Sequence, residues 1–185
     1  AIFTKTTQLF PNDFRAYNNL GEMAFAAGDA AKAESFFKQA AAKNANAPEV
    51  NANLGLVELV KNNVASAEAY LGKATGANAA NEALGNLYIK QGQYQRAVNA
   101  FGDAKTNSAA QAQILAKDYN KAKATLQAIK DKDAMTDYLM AIVGARTNNE
   151  SLVSSSIKSA IAKDASLATK AANDREFAKF ASALK

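Results

Sequence analysis

The carboxylates, 17 in number, are the side chains through which this 185-residue chain could run acid–base or metal chemistry, because it contains no histidine and no cysteine. Without histidine the commonest general base and transition-metal ligand is missing. Without cysteine, thiol nucleophiles, disulfides, Cys-ligated zinc and iron–sulfur clusters are excluded. The carboxylates sit at spacings that serve neither purpose. Asp131, Asp133 and Asp137 are spaced like part of a calcium loop, yet the turn glycine and the carboxylate at the twelfth position are both lacking. Asp133 reads instead as a loop residue near the start of a following helix, where a negative charge is favoured. Asp174 and Glu176 define no pocket in which two carboxylates would flank a scissile bond. The stretch GANAANEALG has no lysine, so it is no phosphate-binding loop and reads as a turn. Asn149–Glu150–Ser151 matches a glycosylation sequon, a pattern that chance alone often supplies. No enzymatic constellation emerges, and no cofactor or metal is implied.

What remains is binding, and the elements that would position a binding face are helical. Alanine is the commonest residue, β-branched residues are sparse, and only two prolines and nine glycines punctuate the chain. With 49% apolar and 21% charged residues the composition is that of a folded chain. The net charge of +5 is mild and its lysines and arginines are scattered, so nucleic acid is not implied. No apolar stretch approaches the ~18 residues of a membrane span, and no secretory signal stands at the start. The first residue, Ala1, is not an initiator methionine, which points to a processed protein or an excised piece.

The chain repeats itself. YNNLGEMAFAAGDAAKAESFFKQA, from Tyr17, returns as NANLGLVELVKNNVASAEAYLGKA from Asn51 and as NEALGNLYIKQGQYQRAVNAFGDA from Asn81. A Leu–Gly pair (Leu20–Gly21, Leu54–Gly55, Leu84–Gly85) is followed twelve residues after the glycine by Ala33, Ala67 or Ala97. Four residues on comes a large apolar residue (Phe37, Leu71, Phe101), and three further another alanine (Ala40, Ala74, Ala104). This spacing resembles the tetratricopeptide repeat, a 34-residue unit of two helices, A and B. With units starting at Phe14, Pro48 and Asn78, the small residues fall at positions 8 and 20 and the large one at 24. The small pair is then expected where helices A and B cross, a glycine facing an alanine. Gly28, Asn62 and Gly92 occupy position 15, where a helix ends in a left-handed residue.

The pattern decays toward the C-terminus. Ala122, Leu126 and Ile129 stand at positions 20, 24 and 27 of a fourth unit, whose helix A is short, about Ser108 to Lys117. Ala141, Asn148, Val153, Ile157 and Ala160 mark a fifth unit, at positions 8, 15, 20, 24 and 27. Upstream, Phe3 and Pro11 match positions 24 and 32, so Ile2–Phe10 reads as a helix B without its helix A. An array opening on half a repeat leaves an unpaired edge, so the chain is expected to be cut from a longer protein and to be able to self-associate there.

The resemblance implies an all-α, right-handed superhelical solenoid of about five repeats. Its parts would be a half repeat (1–13), repeats 14–47, 48–77 and 78–105, degenerate repeats 106–132 and 133–165, and a capping helix 166–185. It also implies a non-catalytic scaffold that takes a protein or peptide partner in the concave groove of the A helices. Positions 2, 5, 6, 9, 12 and 13 face that groove, giving as partner-binding residues Arg15, Asn19, Glu22 and Phe25 in the first unit. The second supplies Glu49, Asn53, Leu56, Leu59 and Val60, and the third Asn86, Ile89 and Lys90. Asn19, Asn53 and Asn86 would grip a peptide backbone by both donating and accepting. The competing reading is that Leu59 and Val60 merely pack on the neighbouring repeat. Chaperone-binding members clamp a carboxylate with basic residues; Asn53 matches that clamp, but Ala79 and Ala83 stand where the bases should be. The Ala/Asn/Lys-rich composition is similar to bacterial envelope proteins, which implies a periplasmic location, with the cytoplasm as the alternative. Rival functions are a structural spacer or self-association module, and electrostatic binding of RNA or a glycan.

Overall fold

The computed structural model describes Leu9 and residues 11–182. Its elements are α1 (Phe14–Ala26), α2 (Ala30–Lys43), α3 (Pro48–Val60), α4 (Val64–Lys73), α5 (Asn78–Lys90) and α6 (Tyr94–Phe101). They continue with α7 (Asn107–Leu115), α8 (Tyr119–Ala128), α9 (Ala134–Arg146), α10 (Glu150–Lys163), α11 (Leu167–Asn173) and a 3-10 helix (Arg175–Phe180). Among the described residues there is no strand, and the fold class is all-α, built of consecutive helix pairs. Helix B of the expected half repeat, Ile2–Phe10, lies outside the described residues, apart from Leu9, which is helical.

Each A–B pair reverses direction through one left-handed residue. Gly28, Asn62, Gly92, Lys117 and Asn148 have φ of 81°, 60°, 71°, 66° and 54°. In the first pair Gly28 N donates to Phe25 O at 2.9 Å and Asp29 N to Ala24 O at 3.0 Å, and the other four turns repeat this pattern. That closure satisfies the otherwise orphaned carbonyls at the end of helix A. The next residue opens helix B: the side chains of Asp29, Asp118 and Asn149 each accept from the backbone amide three residues on. Lys117 corrects the sequence reading, which put it inside helix A of the fourth unit. That helix is Asn107–Leu115, and Lys117 takes the left-handed turn although it is neither glycine nor asparagine.

The glycines at position 8 also differ from expectation. A Cβ built on Gly55 would lie 2.5 Å from Leu71 Cγ, and one on Gly85 2.6 Å from the Phe101 ring; on Gly21 it would run into the ring of Phe37. What the missing side chain admits is therefore the large residue at position 24. The alanine at position 20 is nonetheless buried in every case (Ala33, Ala67, Ala97). Ala104, expected at position 27 of helix B, lies beyond the end of α6, which closes at Gly102.

The chain divides into two compact units, one up to Leu84 and one from Gly85, the boundary falling inside α5. In the first, Phe37, Val50, Leu54 and Val57 centre a core between α1, α2 and α3, and Ala52, Leu71, Ala74 and Ala80 form a second cluster. In the second, Ala110, Ile114, Ala122, Leu126, Leu139 and Val143 pack α7, α8 and α9 together. Tyr138, Val153, Ile157, Leu167, Phe177 and Phe180 join α9 and α10 to the C-terminal segment. That segment is two pieces where one helix was expected over 166–185. Asp174 ends α11 in extended backbone and caps the 3-10 helix through Glu176 N.

Candidate functional site

The side chains of the A helices carry the candidate binding faces, and the two units treat them differently. In the first unit Asn18 and Glu22 on α1 and Asn53 on α3 form a hydrogen-bonded knot. Asn18 Nδ2 donates to Glu22 Oε1 at 2.8 Å; Asn53 Nδ2 donates to Glu22 Oε1 and to Asn18 Oδ1, at 3.0 Å each. The carboxylate fixes both amides, since it only accepts and each must turn its NH2 group toward it. Both N–H bonds of Asn53 are thereby committed, and it offers a partner only its carbonyl oxygen. The asparagine ladder expected to donate and accept is, at Asn53, an acceptor.

The other expected residues of this unit fall around the knot. Arg15 is exposed, but its guanidinium folds back on Asp13 (Nη2 to Oδ2, 2.7 Å), and the hydrogen bonds from Arg15 hold that carboxyl below its usual range. Asn19 and Leu56 are half-buried and Glu49 is exposed. Phe25 packs against the core cluster that includes Phe37 and Leu54. Leu59 packs against the cluster that includes Ala80 of the following helix pair, as the packing reading had it, whereas Val60 is 64% exposed. Asn86, Ile89 and Lys90 belong to the second unit, half-buried, half-buried and exposed along α5.

The second unit holds a hollow of about 470 Å³ between α7, α9 and α11. One wall is polar, formed by Asn107, Ser108 and Gln111 of α7; the other is Met135, Tyr138, Leu139 and Ile142 of α9, with Lys170 and Asp174 at the end. Asn107 Nδ2 donates to Asp133 Oδ1 at 3.0 Å, and its own Oδ1 is buried without a donor. Asp133, the N-cap of α9, also accepts from Thr136 N at 2.7 Å and Thr136 Oγ1 at 2.8 Å; these bonds, the amide's first, hold its carboxyl below the usual range. Tyr138 donates to Asp174 Oδ2 at 2.7 Å and meets the Phe177 ring edge-on at 5.5 Å. Burial, and then the Asp174 carboxylate, push the phenol well above its ordinary value, so it stays a neutral donor. Lys170 Nζ stands 4.8 Å over the Tyr138 ring.

Of these hollow-lining residues only Asp174 is singled out by the sequence, as half of a carboxylate pair with no pocket, whereas the structure places it at the end of the hollow; a signal for the others is nonetheless present. If Ala122 is position 20 of its unit and Ala141 position 8 of the next, then Asn107, Ser108 and Gln111 are positions 5, 6 and 9. Met135, Tyr138, Leu139 and Ile142 are positions 2, 5, 6 and 9. These are the groove positions named for the regular units, carried into the degenerate ones. Asp174 and Glu176, set aside as catalysts, fasten the C-terminal segment: Asp174 to Tyr138, Glu176 to the Arg146 guanidinium through Nε at 2.6 Å. Among the described residues no group of three or more metal-ligating side chains gathers, and no helix is long and apolar enough to cross a membrane.

Comparison with known proteins agrees with this geometry. Sequence models of the tetratricopeptide repeat match residues 24–88 and 79–111. No curated protein matches the sequence. The fold is similar to that of YrrB, a tetratricopeptide protein with an unusual peptide-binding site, at TM-score 0.69 and 19% identity over 89% of this chain and 93% of that one. It is similar to PilW, a type IV pilus biogenesis factor (0.63, 20%, 99% and 88%). PilF of Pseudomonas aeruginosa gives 0.71 at 14% identity, covering 97% and 86%. Five helix pairs closed by the same left-handed turn, three of them carrying the glycine, alanine and large residue at matching positions, place this chain in the tetratricopeptide repeat family.

Proposed function

We propose that the chain is a non-catalytic scaffold that takes a protein or peptide partner on the exposed faces of its A helices. Tetratricopeptide repeat proteins are in general scaffolds of this kind. The observation that carries the finer reading is the state of the groove positions. In both units they hold half-exposed apolar side chains beside polar groups with unused hydrogen-bonding capacity. Leu56 and Val60 lie along α3 with the Asn53 oxygen, and Met135 and Ile142 lie along α9 across from Ser108 and Gln111. Apolar contact supplies affinity there and the polar edge fixes the backbone of the ligand. The proposed location is the bacterial envelope, in keeping with the composition and with the fold shared with a pilus biogenesis factor.

The test is to pan a random peptide library against the parent, Asn53→Ala and Leu56→Asp, with light scattering to follow oligomeric state. Peptides selected by the parent should bind both variants less well. If every selected peptide binds both variants as it binds the parent, the α3 face is not used. A parent that selects no peptide and self-associates would be a spacer or assembly module instead.

A further inference from the structure

We infer that a second hollow, of about 350 Å³ where the end of α9 meets the 3-10 helix, binds a phosphomonoester group through Arg146, Arg175 and Lys179. This goes beyond the scaffold reading and does not depend on it, because two of the three cations stand on the 3-10 helix, outside any repeat. Glu176 completes the polar part of the lining, and Ala145, Ala178 and Phe180 supply the apolar part. The single carboxylate is already held: Glu176 accepts from Arg146 through Nε at 2.6 Å and through Nη2. Arg175 and Lys179 are exposed, and their side chains make no ion pair or hydrogen bond among the described residues.

Charge and shape select the ligand. Three cations against one carboxylate leave a surplus of two positive charges, which a phosphomonoester dianion matches and a carboxylate only half satisfies. Asp174 keeps its negative charge but lines the other hollow, which it shares with Lys170, so the surplus is the same when both hollows are counted together. Glu150, met by Ser182 just past the 3-10 helix, lines neither. A guanidinium can also donate to two phosphate oxygens at once. The wider field acts in the same sense. The chain up to Leu84 carries seven basic and eight acidic residues, the remainder fifteen and nine, so an anion is drawn to the second unit. The apolar lining gives the carrier of the phosphate a surface to rest on; that carrier is a soluble ester or a lipid headgroup, and the test separates the two.

The probes are phenyl phosphate and benzoate, which share a ring and differ in charge, titrated at about pH 8 and constant ionic strength into the isotope-labelled chain. Phenyl phosphate should shift amide resonances of the 3-10 helix and the end of α9, and bind about tenfold more tightly than benzoate. Arg175→Gln and Lys179→Gln should each weaken it by about tenfold with the unfolding midpoint unchanged. Lys123→Gln, which removes a likewise exposed lysine from α8, should leave it within about twofold. Vesicles of phosphatidylcholine carrying phosphatidic acid form the second arm. Retention on them that inorganic phosphate reverses assigns the phosphate to a lipid; binding of phenyl phosphate without retention assigns it to a soluble ester. Equal binding of the two anions, or an equal loss in Lys123→Gln, means diffuse charge attraction and overturns the site. No shift up to about 20 mM phenyl phosphate overturns it as well. Neither result bears on the α3 face, which the peptide library tests separately.

Discussion

The A-helix faces of the two units use the same positions to opposite ends. Positions 5 and 9 of one helix and 6 of the next are Asn18, Glu22 and Asn53 in the first unit and Asn107, Gln111 and Leu139 in the second. The first trio ties α1 to α3 with three hydrogen bonds. The second cannot, because Leu139 has no polar atom and Asn107 turns away to Asp133. Where the first face is knotted, the second opens into a hollow. The lesson is that a repeat's groove positions specify where a side chain points. Whether the groove is closed or vacant depends on the residue that a neighbouring repeat sets opposite.

The contrast can be broken first at its support. Phe177, 1% exposed, packs edge-on against Tyr138 behind the hollow, so Phe177→Ala should cost about 3–5 kcal/mol in denaturant unfolding. A smaller loss would mean that the C-terminal segment does not hold up that wall. Gly55→Leu, which drives a side chain into Leu71, should cost on the order of 1–3 kcal/mol; a variant as stable as the parent would refute the glycine's role. Transplanting the knot is the sharpest comparison. Gln111→Glu with Leu139→Asn supplies the acceptor on α7 and the bridging amide on α9, although Asn107 stays on Asp133; it should narrow the hollow and weaken a peptide bound there by about tenfold, roughly 1.4 kcal/mol, read by a binding titration. The turns offer a gentler case: Lys117→Gly removes a side chain from left-handed backbone and should raise stability by up to about 1 kcal/mol, whereas Gly28→Ala should lower it by a similar amount.

Smallest is the response to acid. Asp133's carboxyl is held below its ordinary 3.8, so its contribution is complete above that value and disappears as pH falls through the lower folded value. Asp133→Asn should therefore flatten the stability profile below about pH 4, and leave the acid response of the first unit as it was.

Much of the fold was legible because close packing leaves a record at fixed spacing. Ala33, Ala67 and Ala97 recur at fully buried positions, and Gly28, Asn62, Gly92 and Asn148 recur because the turn needs a positive φ. Lys117 broke the record: its turn is dictated by the closure around it, and its residue type carries no sign of that. The site was less legible for two reasons. The direction of the Asn53 amide is set by Glu22, 31 residues away, and no spacing encodes which way an amide faces. The hollow depends on Tyr138 meeting Asp174 across 36 residues and on a leucine where an asparagine would have bridged, and both are pairings between elements rather than patterns along one.

The three-residue reversal within each pair has a kinetic corollary. The bonds that complete it join residues no more than five apart, so a hairpin can zip from its bend before any distant segment arrives. Folding should then begin at several bends independently and spread to their neighbours. Damage to one bend would slow its own hairpin and leave the rest to form without it.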